Sequence, residues 1–487
     1  MSPSTERLAP LDLAFWHLET AGHPMHLGAL ALFAPAPADP APGSAPGADR
    51  PPPAHAVLAL LATRAAAVRR LRSRVRDVLL PVGGAVWIPD PDFDVTRHVH
   101  RIRLPGAAPL EDEAVAVAGE LMERPLERGR PPWEMYLLTG RPDGTFGVLV
   151  KLHHALADGM RAVAIGSAIF DEIADPRGVR ARAAARLRGG ATATGRPWFG
   201  DPARLVGVAR GRIDDLGRAV GVGASVVLAS RFDPRGRPQS LAAGASGTRR
   251  LGTAVLDAED VRRVRRASGG TTNDVLLAVV AGGLRRWLAG RGEPLPAAGP
   301  RALVPVSRRR PGDPVGPGNE LSAYLLDLPV AEPDPYTRLD LVRRAMDRNK
   351  EAGPLRGAGA LAVLADQLPP IAHRFGAPLA GGAARMLFDL VVTSVPLPRS
   401  ELSIGGCPLR SLYPMAPLAR GHSLAVALTS YGGRIHVGLV ADGEAVPDVA
   451  RLASATEEEL AELTAPTATA RALPTAPATW PGAPSPA

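Results

Sequence analysis

Thr145 to Gly159 reads TFGVLVKLHHALADG, and the rest of the chain is most easily read outward from it. The stretch Thr145–Leu152 is apolar and partly β-branched, which predicts a buried strand running directly into His153 and His154. Asp158 and Gly159 follow four and five residues after His154. Met160 to Ile173 then has helical spacing, with Val163, Ile169, Phe170 and Ile173 predicted inward. A histidine at the end of a buried strand can be held partly desolvated with its pKa near the ordinary value of about 6.5. That suits a general base taking a proton from a hydroxyl or thiol. Asp158 would orient the loop through a charge partner, and Gly159 would permit a tight backbone before the helix. Two other readings compete. The pair could be ordinary loop histidines, or it could bind a metal, although no third and fourth ligand lie at sensible spacing. The strand before and the helix after favour catalysis.

Upstream, Leu27–Phe33 predicts a strand, followed by a flexible Pro/Ala-rich insertion over 34–53. Val57, Leu58, Leu61, Ala65, Val68 and Leu71 give helical spacing, with Arg69, Arg70, Arg72, Arg74 and Arg76 crowding the end, where cations complement the dipole. A strand at Ala85–Ile88 and a helix over Leu110–Met122 follow. Residues 186–248 are rich in Arg, Ala and Gly and predict a partly helical crossover, with a helix from Ala203. The pattern then restarts. Strands are predicted at Leu251–Leu256, Ala302–Val306, Ala323–Leu328, Leu390–Val395, Leu424–Tyr431 and Arg434–Val440. Helices are predicted at Asn273–Leu288, capped by Thr271 or Thr272, at Tyr336–Arg348 and at Ala358–Ala365. The division is an N-terminal half over 1–185, the crossover, a C-terminal half over 249–463 and a disordered Ala/Pro/Thr-rich tail over 464–487.

Composition narrows the function classes. The 487 residues include 52 glycines and 51 prolines, an excess that belongs in loops and tails. Cys407 is the single cysteine, so no intrachain disulfide or Cys-based zinc or iron–sulfur framework is possible. The net charge of +9 raises nucleic acid as a partner. Against that, Lys151 and Lys350 are the only lysines, aromatics are 4% of the chain, and no base-stacking platform is evident. An anionic cofactor or membrane surface is at least as good a partner. No segment approaches the roughly 18 apolar residues of a membrane span; Ala219–Ser230 is too short and contains two glycines. The N-terminus is not a secretory signal, so a cytoplasmic protein, peripheral on the inner membrane face or on lipid inclusions, is expected.

HHALADG resembles the HHxxxDG motif of the coenzyme-A-dependent acyltransferase superfamily. Other blocks resemble one branch, the bacterial wax ester synthase/diacylglycerol acyltransferase family. They are Leu8-Ala9-Pro10-Leu11-Asp12, Pro24-Met25-His26-Leu27-Gly28, Phe93-Asp94 with His98, Pro125-Leu126-Glu127-Arg128 and Pro132-Trp133-Glu134. The second half adds Asn273-Asp274-Val275, Val304-Pro305-Val306-Ser307, Gly318-Asn319 with Ser322, and Ser430-Tyr431 with Gly433. The likeness spans about residues 7 to 460. Two departures stand out: Pro132 replaces a leucine of a Pro-Leu-Trp block, and Leu397 replaces a glycine of an Asn-Val-Pro-Gly-Pro block. The first would stiffen its turn, and the second would narrow any channel that the turn lines.

The resemblance implies a two-domain α/β fold like that of chloramphenicol acetyltransferase, each half a mixed sheet with flanking helices and an active-site channel between the halves. It implies O-acylation of diacylglycerol or a long-chain alcohol by fatty acyl-CoA, with acyl-CoA as substrate and no cofactor or metal. His154 would deprotonate the acceptor and the alkoxide would attack the thioester, giving an oxyanion that needs a preorganised donor. Asn273, Ser394 and Thr393 are the candidates, with Gly159 also positioning substrate. His153 would pack or hydrogen-bond beside the base, and Asp158 would pair with an arginine. Trp133, Asn319 and Tyr431 are expected to pack, His26 to line the channel or end a strand, and Cys407 to be inert. An HHxxxDG enzyme acting on another hydroxyl or an amine, or a non-catalytic lipid-binding protein of the same fold, remains the alternative.

Overall fold

The computed structural model describes residues 6–35, 52–80, 82–172, 238–242, 246–307, 321–352, 370, 373–374, 386–398 and 400–465. Most of the 34–53 insertion, nearly all of the 186–248 crossover, the 358–365 helix, Asn319 and the tail beyond Ala465 lie outside them.

Strand β7 (Phe146–His153) is buried on both faces, which explains its unbroken apolar run. It sits inside a mixed sheet ordered β5 (Val99–Arg103), β6 (Trp133–Thr139), β7, β2 (His26–Phe33), β14 (Cys407–Met415), β13 (Leu402–Ile404) and β8 (Asp171–Glu172). Register puts His26 opposite His153 and Trp133 opposite Leu152. A second mixed sheet is ordered β11 (Leu321–Asp327), β10 (Arg301–Ser307), β12 (Leu390–Ser394), β15 (Leu424–Tyr431), β16 (Arg434–Asp442) and β9 (Arg249–Asp257). Its core is shared with the helices Thr272–Gly290, Pro335–Ala352 and Val449–Thr464. Thr271 caps the first of these in a reciprocal box: its hydroxyl accepts from Asp274 N–H at 3.2 Å, and Asp274 accepts from Thr271 N–H at 2.8 Å. A small sheet joins β1 (Glu6–Arg7), β4 (Ala85–Pro89) and β3 (Ser73–Asp77).

The halves interlock. Strands β13 and β14 come from the C-terminal half of the chain but extend the first half's sheet through β2 and β8. Gly438 lets Pro414 of β14 come against β16, since a Cβ there would lie 1.9 Å from Pro414 O. The 249–463 segment is therefore continuous in sequence but shared between two sheets.

Two predicted helices are shorter than their periodicity suggests. The first spans Ala54–Ala67, and a short 3₁₀ turn over Arg69–Arg72 follows. Arg74 and Arg76 then lie on β3, where pairing with β4 has replaced the helix. The helix after the histidines spans Gly159–Ile169, and Arg64 holds its end. The Arg64 guanidinium donates to Ile169 O at 2.6 Å and holds both Asp171 oxygens at 2.8 and 3.0 Å, which frees Asp171 to pair with β13. Ile173 lies outside the described residues. No helix among the described residues is long and apolar enough to cross a membrane.

Candidate active site

His153 is the last residue of β7, and His154 begins the turn that leads to the next helix. The turn is held by backbone on both sides. His153 N–H donates to Pro132 O at 3.0 Å, and His154 N–H donates to Met25 O at 2.7 Å. Pro132 thus anchors the motif through its carbonyl, a group that leucine and proline share. Trp133 is fully buried, donates its indole N–H to Leu71 O at 2.6 Å, and stacks on His98 at 4.6 Å. Phe93 stacks on the same His98 at 5.6 Å, so two separate sequence blocks form one aromatic wall behind the strand.

The two histidines have different environments. His153 is fully buried, and its Nδ1 accepts from Ala155 N–H at 2.9 Å. A ring nitrogen that accepts carries no proton, so the proton of the neutral ring sits on Nε2. Nε2 faces Glu19 Oε1 at 3.5 Å, and Trp16 meets the ring edge-on at 5.2 Å. His154 is half-buried, with its ring stacked on Phe15 at 3.9 Å and 17°. Of the pair, His154 is the one open to a substrate.

Asp158 is buried and is the N-cap of the helix Gly159–Ile169, its Oδ1 accepting from Arg161 N–H at 2.8 Å. This contact is to the Arg161 backbone and not to its charge: it is an N-cap that sets the turn's exit. Gly159 has no left-handed φ, so the tight-backbone expectation is corrected. Its hydrogen side chain makes room instead: a Cβ would sit 3.2 Å from Val395 Cγ2. Val395 directly follows Ser394 at the end of β12, so the end of this second-half strand reaches the start of the helix Gly159–Ile169. Ser394 is exposed, and Thr393 beside it is half-buried. Leu397 packs, half-buried, on the first half's core rather than facing solvent. Asn273 is half-buried in the first turn of the helix Thr272–Gly290, and the glycines before that helix adjoin Arg343.

Three neighbours have no counterpart in the expected site: Phe15, Trp16 and Glu19. Arg128 figures above only as part of a block. It donates to Glu19 Oε2 at 3.3 Å and to Trp16 O at 3.0 Å, and its guanidinium lies 4.5 Å over the Trp16 ring. Burial pushes the Glu19 carboxyl up, but His153, Arg128 and Met25 N–H outweigh that and hold it below the usual glutamate range. Glu19 is the only acid between Asp12 and Asp39, which is the one sequence signal that could have flagged it. Because its folded pKa is depressed, its stabilising contribution is present above the unfolded value and lost as pH falls through the folded one. Glu19→Gln is therefore expected to flatten the acid limb of a thermal-stability profile; an acid limb identical to wild type would contradict the assignment.

Behind the motif the charges are structural. Lys151 is fully buried and donates to Leu121 O at 2.9 Å and to Arg124 O, closing the C-terminal end of the helix Leu110–Glu123. His26 lies at the start of β2 with Nε2 2.8 Å from Met122 O, and burial and the Lys151 charge push its pKa well below the ordinary value. It ends a strand. Tyr431 is buried in the first half's core, its hydroxyl accepting from Leu402 N–H at 2.8 Å. Cys407 is buried, which raises its thiol pKa, so little thiolate forms.

Residues 8–276 match the wax ester synthase/diacylglycerol acyltransferase catalytic domain, and residues 317–464 match the WS/DGAT C-terminal domain. A relative from Mycobacterium tuberculosis (strain ATCC 25618 / H37Rv), named "Probable diacyglycerol O-acyltransferase tgs1", is 32% identical over 428 residues, 85% of this chain and 89% of the relative. A second from the same strain, named "Probable diacyglycerol O-acyltransferase tgs2", is 29% identical over 94% of this chain and 98% of its own length. Among solved structures, the wax ester synthase/diacylglycerol acyltransferase from Marinobacter aquaeolei VT8 superposes with a TM-score of 0.66 at 24% identity, covering 94% of this chain and 98% of that one. The first condensation domain of the CDA synthetase gives 0.57 at 19% identity, covering 96% and 98%, a likeness of fold.

Proposed function

The chain belongs to the wax ester synthase/diacylglycerol acyltransferase family and is an acyltransferase, and on that premise we propose that His154 is the base that activates its acceptor hydroxyl. The carrying observation is the placement of this ring: half-buried, stacked on Phe15, and in the turn whose next helix meets Val395 of the other half. Fatty acyl-CoA is the donor, and a diacylglycerol or long-chain alcohol is the acceptor.

The reaction needs no covalent enzyme intermediate. His154 takes the hydroxyl proton as the alkoxide forms a bond to the thioester carbonyl carbon. The tetrahedral oxyanion then collapses, the carbon–sulfur bond breaks, and the departing thiolate takes the proton back as free coenzyme A. Asp158 holds the turn through its cap, and His153 with Glu19 fixes the backbone from which His154 projects. Of the three oxyanion candidates, Ser394 is supported by its neighbour Val395, which meets Gly159; the roles of Asn273 and Thr393 rest on the family resemblance.

A thiol-release assay with palmitoyl-CoA and a panel of diacylglycerol, hexadecanol, short alcohols and an alkylamine tests this reading. Acceptor-dependent release with matching triacylglycerol or wax ester is the expected result. Release with an amine acceptor alone would move the protein to the alternative acyltransferase reading. No release with any acceptor would leave lipid binding without catalysis.

A further inference from the structure

Strands β3 and β4 form a hairpin whose last cross-strand pair is Asp77–Ala85, closed by Val78 N–H donating to Gly84 O at 2.9 Å. Beyond that closure Leu79 is 93% exposed, Leu80 76% and Val82 44%, while no other large apolar side chain among the described residues exceeds 42%. Three aliphatic side chains at one tip make a patch that no described residue covers. Exposed arginines flank it. Arg76 stands on β3 just before the tip, and exposed Arg374 comes against its far side, its Cβ 2.9 Å from where a Gly83 Cβ would be. The nearest acid, Asp77, is engaged with the Trp16 indole N–H at 3.2 Å.

We propose that this hairpin docks the protein onto an anionic phospholipid surface, with Leu79, Leu80 and Val82 entering the acyl boundary and Arg76 and Arg374 meeting the headgroups. Apolar tips flanked by cations suit the interface between headgroups and chains. A second copy of the chain suits it poorly, because three side chains fall well short of the ~800 Å² per partner that a stable dimer buries. The root of the hairpin also leads to the active site. His17 Nε2 lies 2.9 Å from Gly83 O, and the same helix, Pro10–Leu18, carries Phe15 against His154 and Trp16 against His153. Docking would therefore hold the catalytic turn at the surface where a lipid acceptor resides. That purpose rests on the proposed acyltransferase reading, whereas the docking does not.

The test is co-sedimentation of the full chain with vesicles of phosphatidylglycerol and phosphatidylcholine, against phosphatidylcholine alone. Wild type is expected to prefer the anionic vesicles and to be weakened by salt. Leu79→Asp/Leu80→Asp is expected to bind them at least ~10-fold less, the order of factor for keeping one leucine out of an apolar phase. It should still acylate a short, water-soluble alcohol. Leu80→Cys carrying an environment-sensitive fluorophore should shift its emission to the blue on adding anionic vesicles, since the native Cys407 is buried. Undiminished vesicle binding by the double variant, or an unshifted label, overturns the proposal. So does a change in the variant's oligomeric mass without lipid, which assigns the tip to a second copy. Vesicle binding without acyl transfer leaves docking standing and removes the acyltransferase reading; transfer without vesicle binding does the reverse.

Discussion

His154→Ala is expected to slow acyl transfer by about 10² to 10⁴-fold, the range that a general base supplies, while the protein stays folded. The loss should be selective because the ring is half-buried, stacked on Phe15, whereas the His153 ring is fully buried. The bond that holds the turn is His154 N–H to Met25 O, and alanine keeps it. His153→Ala is expected to behave differently. It removes a fully buried ring that accepts Ala155 N–H and faces Glu19, so stability should fall while more of the activity per folded molecule survives. Single-turnover rates on matched folded preparations check this. Comparable rates in His154→Ala and wild type would remove the base from the mechanism.

Arg338→Met is expected to cost about 3 to 5 kcal/mol of stability, because it removes the fully buried partner of a buried carboxylate and leaves it the longer contact to Arg286. Arg338 and Glu459 are each 1% exposed and meet at 2.6 Å between the helices Pro335–Ala352 and Val449–Thr464. Arg286 reaches the same carboxylate from the third helix at 3.3 Å, and Gly282 leaves the space the carboxylate occupies, since a Cβ there would be 1.9 Å from its carbon. Burial raises the Glu459 pKa, against the lowering pull of both arginines. At about 1 °C per kcal/mol for a chain of this length, the melting midpoint should drop by roughly 3 to 5 °C. Replacing Glu459 by leucine in the same background should restore part of the loss, because an apolar pair leaves no stranded charge. A single-variant midpoint within a degree of wild type would show that the ion pair does not hold the three helices together.

How much of the site was legible depended on the range of the interaction concerned. The apolar run of β7, the histidines at its end and the helix after Asp158 are local patterns. Strand burial, a capping side chain and helical spacing each act over a few residues, so sequence alone carries them. The cap of the helix Thr272–Gly290 was legible to within one residue, Thr271 or Thr272, for the same reason. Less regular strands were not: β6, β13 and β14 gave no period strong enough to read, and their pairing comes from partners far along the chain.

By itself the sequence determined the β7–turn–helix unit, the block pattern of the family and the candidates His154 and Asp158. Only the tertiary structure decided which histidine faces outward, and it did so through Glu19, Trp16 and Ala155, which bury and orient His153. Only it showed that Gly159 leaves room for Val395, that Leu397 packs across the seam, and that β14 ties the second half into the first half's sheet. The physical reason is the range of the forces involved. Hydrogen-bond periodicity and capping are written in neighbouring residues, whereas burial and close approach depend on which distant surfaces the folded chain brings together.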